Sequence, residues 1–248
     1  MDLSTHTYKH DKIIEAIAEI HFSSANPWDL TFFGHFYDKV KVEFPTKAEK
    51  RGVQLQWEAS PAGLRQQVRQ GDLRMQFSKG DGSAMVQVAK DLLAVNVLSR
   101  YPSWKVFRPL ILRNAEAYYK VASPKGITRI GLRYINKFEL PADGFDLPAI
   151  LNAYPHVPKE INGCPRPFFM RVEHEYATNQ RLILTIGEAE PSETNAIAVL
   201  LDLDHVYLNL PDMGIDGLAG RLDTAHERVE DAFESCITEA IRGIMEHD

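Results

Sequence analysis

Ser123-Pro124-Lys125-Gly126, followed by Ile127 to Leu140 (ITRIGLRYINKFEL), is the stretch on which the fold turns. Proline and glycine in SPKG punctuate the chain as a turn. The residues after it carry the β-branched and aromatic side chains of a strand. Upstream, Ser103 to Val121 reads as a helix, with Val106, Leu110, Ala117 and Val121 on its inward face and Pro109 near its first turn. Ala84 to Leu98 (AMVQVAKDLLAVNVL) reads as two strands with a break near Lys90 and Asp91, preceded by the tight turn Lys79 to Ser83. Asp72 to Ser78 and Val53 to Glu58 alternate apolar with polar, and so does Ile17 to Ser23. Between them Leu30, Phe33, Tyr37 and Val40 recur at helical spacing, with Asn26 as cap and Pro27 in the first turn.

Downstream of the turn the same kinds of element return. A short helix is expected near Leu147 to Tyr154, then strands at Phe168 to Tyr176, Arg181 to Ala189 and Ala196 to Leu210. Gly217 to Glu246 is predicted as one long helix with the stripe Leu218, Leu222, Ala225, Val229, Phe233, Ile237, Ile241 and Ile244. The repeated order predicts an α+β protein of two similar halves, 1–125 and 126–248, each an antiparallel sheet with helices on one face. The topology is that of TATA-binding-protein-like duplicated folds, in which halves join into one curved sheet. That likeness carries no implication for DNA.

No apolar run approaches the roughly 18 residues a membrane span needs, and the polar start is not a signal peptide. Cys164 and Cys236 lack metal-ligand spacing and read as two reduced thiols, so a cytoplasmic location is expected. Charge is uneven: residues 1–137 hold 21 Lys and Arg against 13 Asp and Glu, and the remainder 7 against 21. Attraction between the two halves is the simpler meaning; a basic binding face in the first half is the other.

Several segments occur together in a recognisable order: Ile13-Ile14-Glu15-Ala16 with Glu19-Ile20-His21-Phe22; Asn96 followed by Tyr101-Pro102; Gly131-Leu132-Arg133-Tyr134-Ile135-Asn136; and Ala232-Phe233-Glu234 with Ile237-Thr238. In this the chain resembles a sporadically distributed, uncharacterised family of bacterial and archaeal proteins of about this length. The resemblance covers nearly the whole chain. It implies a complete single unit and, through the patchy distribution, a link to mobile or defence genes. The family has no established activity, so no mechanism and no catalytic residue transfer.

The residues themselves offer few chemical constellations. Arg133 and Lys137 share one strand face and could recognise an anion through a planar fork and a point charge, with Tyr134 and Asn136 on the other face. An acidic strand neighbour for Arg133 is the competing reading. Glu173 and Glu175 alternate on one strand, as do Asp202 and Asp204 beside His205; either pair could hold a hard cation, and either could be a solvated strand face or a turn. Lys47, Lys50, Arg51, Arg65, Arg69, Arg74 and Lys79, with Trp57 and Phe77 among them, could bind single-stranded nucleic acid, although both aromatics also fit a sheet core.

No helical histidine pair, phosphate loop or nucleophile elbow occurs, and no cofactor is implied. The leading expectation is therefore a non-enzymatic binding, sensing or assembly module. Its partner would be an unknown protein or a small anionic ligand, with no membrane and with homo-oligomerisation open. A metal-dependent, phosphate-directed hydrolase using Glu173, Glu175, Asp202 or Asp204 with Arg133 is the alternative, and nucleic-acid binding through the basic half a third.

Overall fold

The computed structural model describes residues 8–9, 11–24, 29–60, 63–98, 100–158, 160–161 and 167–247, with backbone alone over 51–60, over 63–72 and at 247. The strands are β1 Ile13–Ser23, β2 Thr46–Ser60, β3 Gly63–Ser78, β4 Ala84–Ala89, β5 Leu92–Leu98, β6 Gly126–Pro141, β7 Phe169–Ala177, β8 Gln180–Ala189 and β9 Ala196–Tyr207. The helices are α1 Thr31–Val40, α2 Trp104–Ala122, α3 Leu147–Ile150, α4 Leu218–Cys236 and α5 Glu239–His247. All nine strands form one antiparallel sheet in the order β2-β3-β4-β5-β1-β6-β9-β8-β7.

This corrects the expectation of two similar halves. β1 pairs with β6 from Ile13 opposite Asn136 to Ser23 opposite Gly126, so the middle of the sheet is continuous. The flanks differ: the first part contributes five strands and a ten-residue α1, the second four strands and a four-residue α3. Element type is set by local periodicity, but pairing is set by which strand edges meet. β1 and β6 would each leave a long row of unpaired backbone groups if their sheets stayed apart.

Alternation along each strand divides the sheet into two unlike faces. Ala16, Ala18, Ile20 and Phe22 of β1 are buried, as are Ile130, Leu132, Tyr134 and Phe138 of β6 and Leu201 and Leu203 of β9. α1, α2 and α4 lie on this side: Phe36 of α1 packs on Phe77, Tyr118 of α2 stacks on Phe22, and His226 of α4 lies beside Tyr134. Pro109 sits inside α2, which starts at Trp104 all the same. Among the described residues no helix is long and apolar enough to cross a membrane.

The SPKG turn ends in a glycine for a reason beyond turn chemistry. A Cβ on Gly126 would lie 2.2 Å from the Asp212 carbonyl carbon, so only glycine lets the Asp212–Met213 backbone bridge to the start of β6.

The single long C-terminal helix is also corrected. At Ile237 the backbone turns extended (φ −88°, ψ 152°), and α4 ends there. Ile237 instead bridges to Leu151, and the Thr238 hydroxyl donates to the Ala149 carbonyl at 2.7 Å. The apolar period continues through the break because both helices face the same core; Ile237, Ile241 and Met245 are buried. Leu222 and Val229 are buried as expected, but Phe233 is half-buried, with the Tyr8 ring edge-on to it at 6.3 Å. Asn26, Pro27 and Cys164 lie outside the described residues.

Candidate functional site

The opposite face of the sheet carries no described helix. It carries polar side chains from β4, β5, β1, β6 and β9, beside a small buried apolar cluster of Ala89, Leu92 and Ala94. Gln87 donates to the Asn96 Oδ1 at 3.2 Å, and Asn96 Nδ2 donates to Glu15 at 2.7 Å, so one chain of amides runs across three strands. Further along β1, Glu19 receives His21 Nε2 at 2.8 Å and the Arg129 guanidinium. Burial alone would raise the Glu19 carboxyl; His21 and Arg129 instead bring it down to about 2.

Arg133 is held as a fork on Asp202, Nε at 2.7 Å and Nη2 at 2.6 Å. The pair is half-buried, its side chains 42% and 15% exposed. Lys137 continues the row, 2.5 Å from Glu139 and 3.3 Å from the Ser192 hydroxyl. Tyr134 and Asn136 do not join them. Both are buried beneath the helices, where Asn136 Nδ2 donates to the Leu201 carbonyl at 3.3 Å. Of the four residues expected to bind a ligand, two stand on the open face and two in the core.

Asp204 lies opposite Arg133 across the β6–β9 pairing, with Gly131 beside it. A Cβ on Gly131 would be 3.5 Å from Asp204 Oδ1 and 3.7 Å from Arg129 Nη2. No hydrogen-bond donor among the described residues reaches this carboxylate. Burial pushes it up to about 6, with Asp202 and Glu19 adding repulsion, although Arg129 and Arg133 pull it down. His205, its neighbour in sequence, points into the helix side and is fully buried, so the Asp-x-Asp-His run is split between faces. Neither His205 ring nitrogen has a partner among the described residues, and burial together with Arg228 holds the imidazole down at about 4.

The second acidic pair stands apart. Glu173 faces Ile183 of β8, which faces Asp204 of β9, so two strand spacings, roughly 10 Å, separate the carboxylates. Glu173 is exposed and paired with Arg171 at 2.9 Å and Arg181 at 3.4 Å; Glu175 is exposed two residues on. Among the described residues no three His, Cys, Asp or Glu side chains gather closely enough to hold a metal ion. In the basic first part, Lys79 pairs with Glu43 at 3.3 Å, Lys47 lies over the Tyr37 ring at 4.5 Å, and Phe77 is buried against that ring. The side chains of Arg51, Trp57, Arg65 and Arg69 lie outside the described residues.

Sequence reading missed the share of β1 in this face, although Glu15, Ile17, Glu19 and His21 alternate there with buried neighbours. It also missed a buried polar chain on the helix side. Tyr101 and Tyr134 hydroxyls meet at 2.9 Å, Tyr134 lies 3.3 Å from His226 Nδ1, and His226 Nε2 lies 3.2 Å from Glu230. Trp104 stacks on His226 at 4.3 Å, and Arg108 forks Asp223 at 2.6 and 2.8 Å one turn away, so this chain clamps α2 to α4. Comparison with family models and with characterised proteins returns no match for the sequence.

Proposed function

We propose that the chain is a non-enzymatic binding module whose ligand surface is the helix-free face around β1, β6 and β9. The observation that carries this reading is Asp204. Its neighbours Glu19 and Asp202 are each bonded to an arginine, while Asp204, partly exposed on the same face, has no donor of its own among the described residues. A partly exposed carboxylate that no protein donor holds is open to a donor supplied by a ligand. The group that fits is a cationic or strongly hydrogen-bonding one, such as a lysine or arginine side chain of a partner protein. An anion would have to displace Asp202 from the Arg133 fork first, which weighs against the small anionic ligand. The resemblance to a patchily distributed bacterial and archaeal family is compatible with such a module and adds no chemistry to it.

The test is an NMR titration of the full chain with a short, end-capped arginine-rich peptide and with its glutamate counterpart. The basic peptide is expected to shift amides of β1, β6 and β9 saturably. Asp204→Asn should weaken it by about tenfold, the scale of one lost charge-assisted hydrogen bond. Shifts confined to other elements, or an Asp204→Asn protein that binds as the parent does, would sink the reading.

A further inference from the structure

β7 closes one end of the sheet, and among the described residues no strand pairs its outer edge. Of its nine residues only Met170 is better than exposed, and three of the exposed side chains are large and apolar: Phe169 at 72%, Val172 at 38% and Tyr176 at 44%. Natural edge strands are guarded by charged side chains, lysine above all, by proline, brevity or bulges, and of these β7 has charge in Arg171, Glu173 and Glu175. β7 has neither lysine nor proline, and its irregularity comes late, between Glu175 and Ala177. That leaves a regular run from Phe169 to Glu175 whose outward backbone donors and acceptors have no strand partner among the described residues.

We infer that this edge pairs antiparallel with β7 of a second copy of the chain, across a two-fold axis at Val172. The charge pattern argues for that occupant and that register. With Val172 opposite its own copy, Arg171 falls opposite Glu173 of the second copy, and Glu173 opposite that copy's Arg171. Two crossed ion pairs therefore flank an apolar contact. Directly opposed residues have Cβ atoms about 5 Å apart, closer than the roughly 7 Å between Arg171 and Glu173 along one strand. Met170 then faces His174, and the strand offers no like-charged pair in this register. Shifting the axis by one residue to Glu173 would set that carboxylate against itself. The pairing joins two sheets edge to edge through seven residues of each strand, an interface at the small, concentration-dependent end of the range. It uses the outer edge of β7, two strands away from the Asp204 strand, and does not rest on the ligand reading above.

Sedimentation of the full chain from micromolar to near-millimolar concentration tests it. The parent is expected to pass from monomer to dimer. Arg171→Glu alone sets acid against acid, and Glu173→Arg alone sets base against base, so each variant is expected to stay monomeric. Mixed in equal amounts the two restore both ion pairs and dimerise, a recovery that a misfolded variant could not give. Val172→Lys, which brings two ammonium groups together at the axis, should also be monomeric while melting at the parent's temperature. A parent that is monomeric throughout overturns the inference. So does a dimer indifferent to these substitutions, or a mixture of the two folded charge variants that stays monomeric.

Discussion

Asp204 and His205 are adjacent residues that a strand turns to opposite faces, and burial moves them in opposite senses. Asp204 titrates at about 6, above its unfolded value near 3.9, so between those values the folded chain keeps a proton that the unfolded chain has lost. Stability from this group is present below pH 4 and lost as pH rises through 6. His205 titrates at about 4, below its unfolded value near 6.5, so there the unfolded chain holds the extra proton. Its contribution is present above pH 6.5 and lost as pH falls through 4. Each effect amounts to about 3 kcal/mol over the window, and in the parent they oppose one another. Urea unfolding between pH 4 and 7 should separate them. Relative to the parent, Asp204→Asn gains stability as pH rises, and His205→Leu gains it as pH falls. Parallel pH profiles for parent and both variants would show that neither shift exists. A stabilising Asp204→Asn that also loses the basic peptide would be the usual trade of stability for a binding group.

At the scale of elements, the junction of α4 and α5 shows how one residue can belong to a helical pattern and yet stand outside the helix. Ile237 keeps the apolar period, but its backbone is claimed by Leu151, and Asn152 supplies donors to the freed carbonyls: its amide N–H to Cys236 at 2.7 Å, its side chain to Ser235 at 3.1 Å and Ile237 at 2.9 Å. These bonds do for α4 what a C-terminal cap does. Ile237 is fully buried and Phe233 only half so, which reverses the ranking their sizes suggest. Ile237→Ala should cost about 3 kcal/mol and Phe233→Ala about 1–2 kcal/mol, because cavity cost follows the volume that stays enclosed. Denaturant midpoints for the two variants check the order; a larger loss at Phe233 would place it deeper than its exposure indicates.

At the scale of the molecule, part of the uneven charge is paired across the chain. Arg133 with Asp202 and Arg108 with Asp223 each join a base before residue 138 to an acid after it. The same sections meet through β1 and β6 in the middle of the sheet, and one large core runs from Ala16 to Met245, beside a small cluster of Ala89, Leu92 and Ala94. A chain built this way should unfold as one unit. Circular dichroism and tryptophan fluorescence are expected to give one coincident urea transition, and fragments 1–123 and 124–248 made separately should lack it. Two resolved transitions, or a fragment that melts cooperatively alone, would show independent domains.

The sequence by itself determined most of the elements. Period two marked the strands, including the break at Lys90 and Asp91, and a spacing of three to four marked α1, α2 and α4, because these periods are properties of the backbone that any short window displays. The same alternation placed Arg133 and Lys137 on one face and Tyr134 and Asn136 on the other. It could not tell which face the helices cover, nor that the partner of Arg133 is Asp202, sixty-nine residues later. It could not show that Gly126 is a glycine because the Asp212 backbone passes against it, or that Asp204 has no donor among the described residues while its neighbours have theirs. Only the tertiary structure decided that β1 meets β6 in one continuous sheet. Strand pairing depends on edges brought together from distant parts of the chain, and hydrogen bonds between them leave no periodic trace in either strand alone.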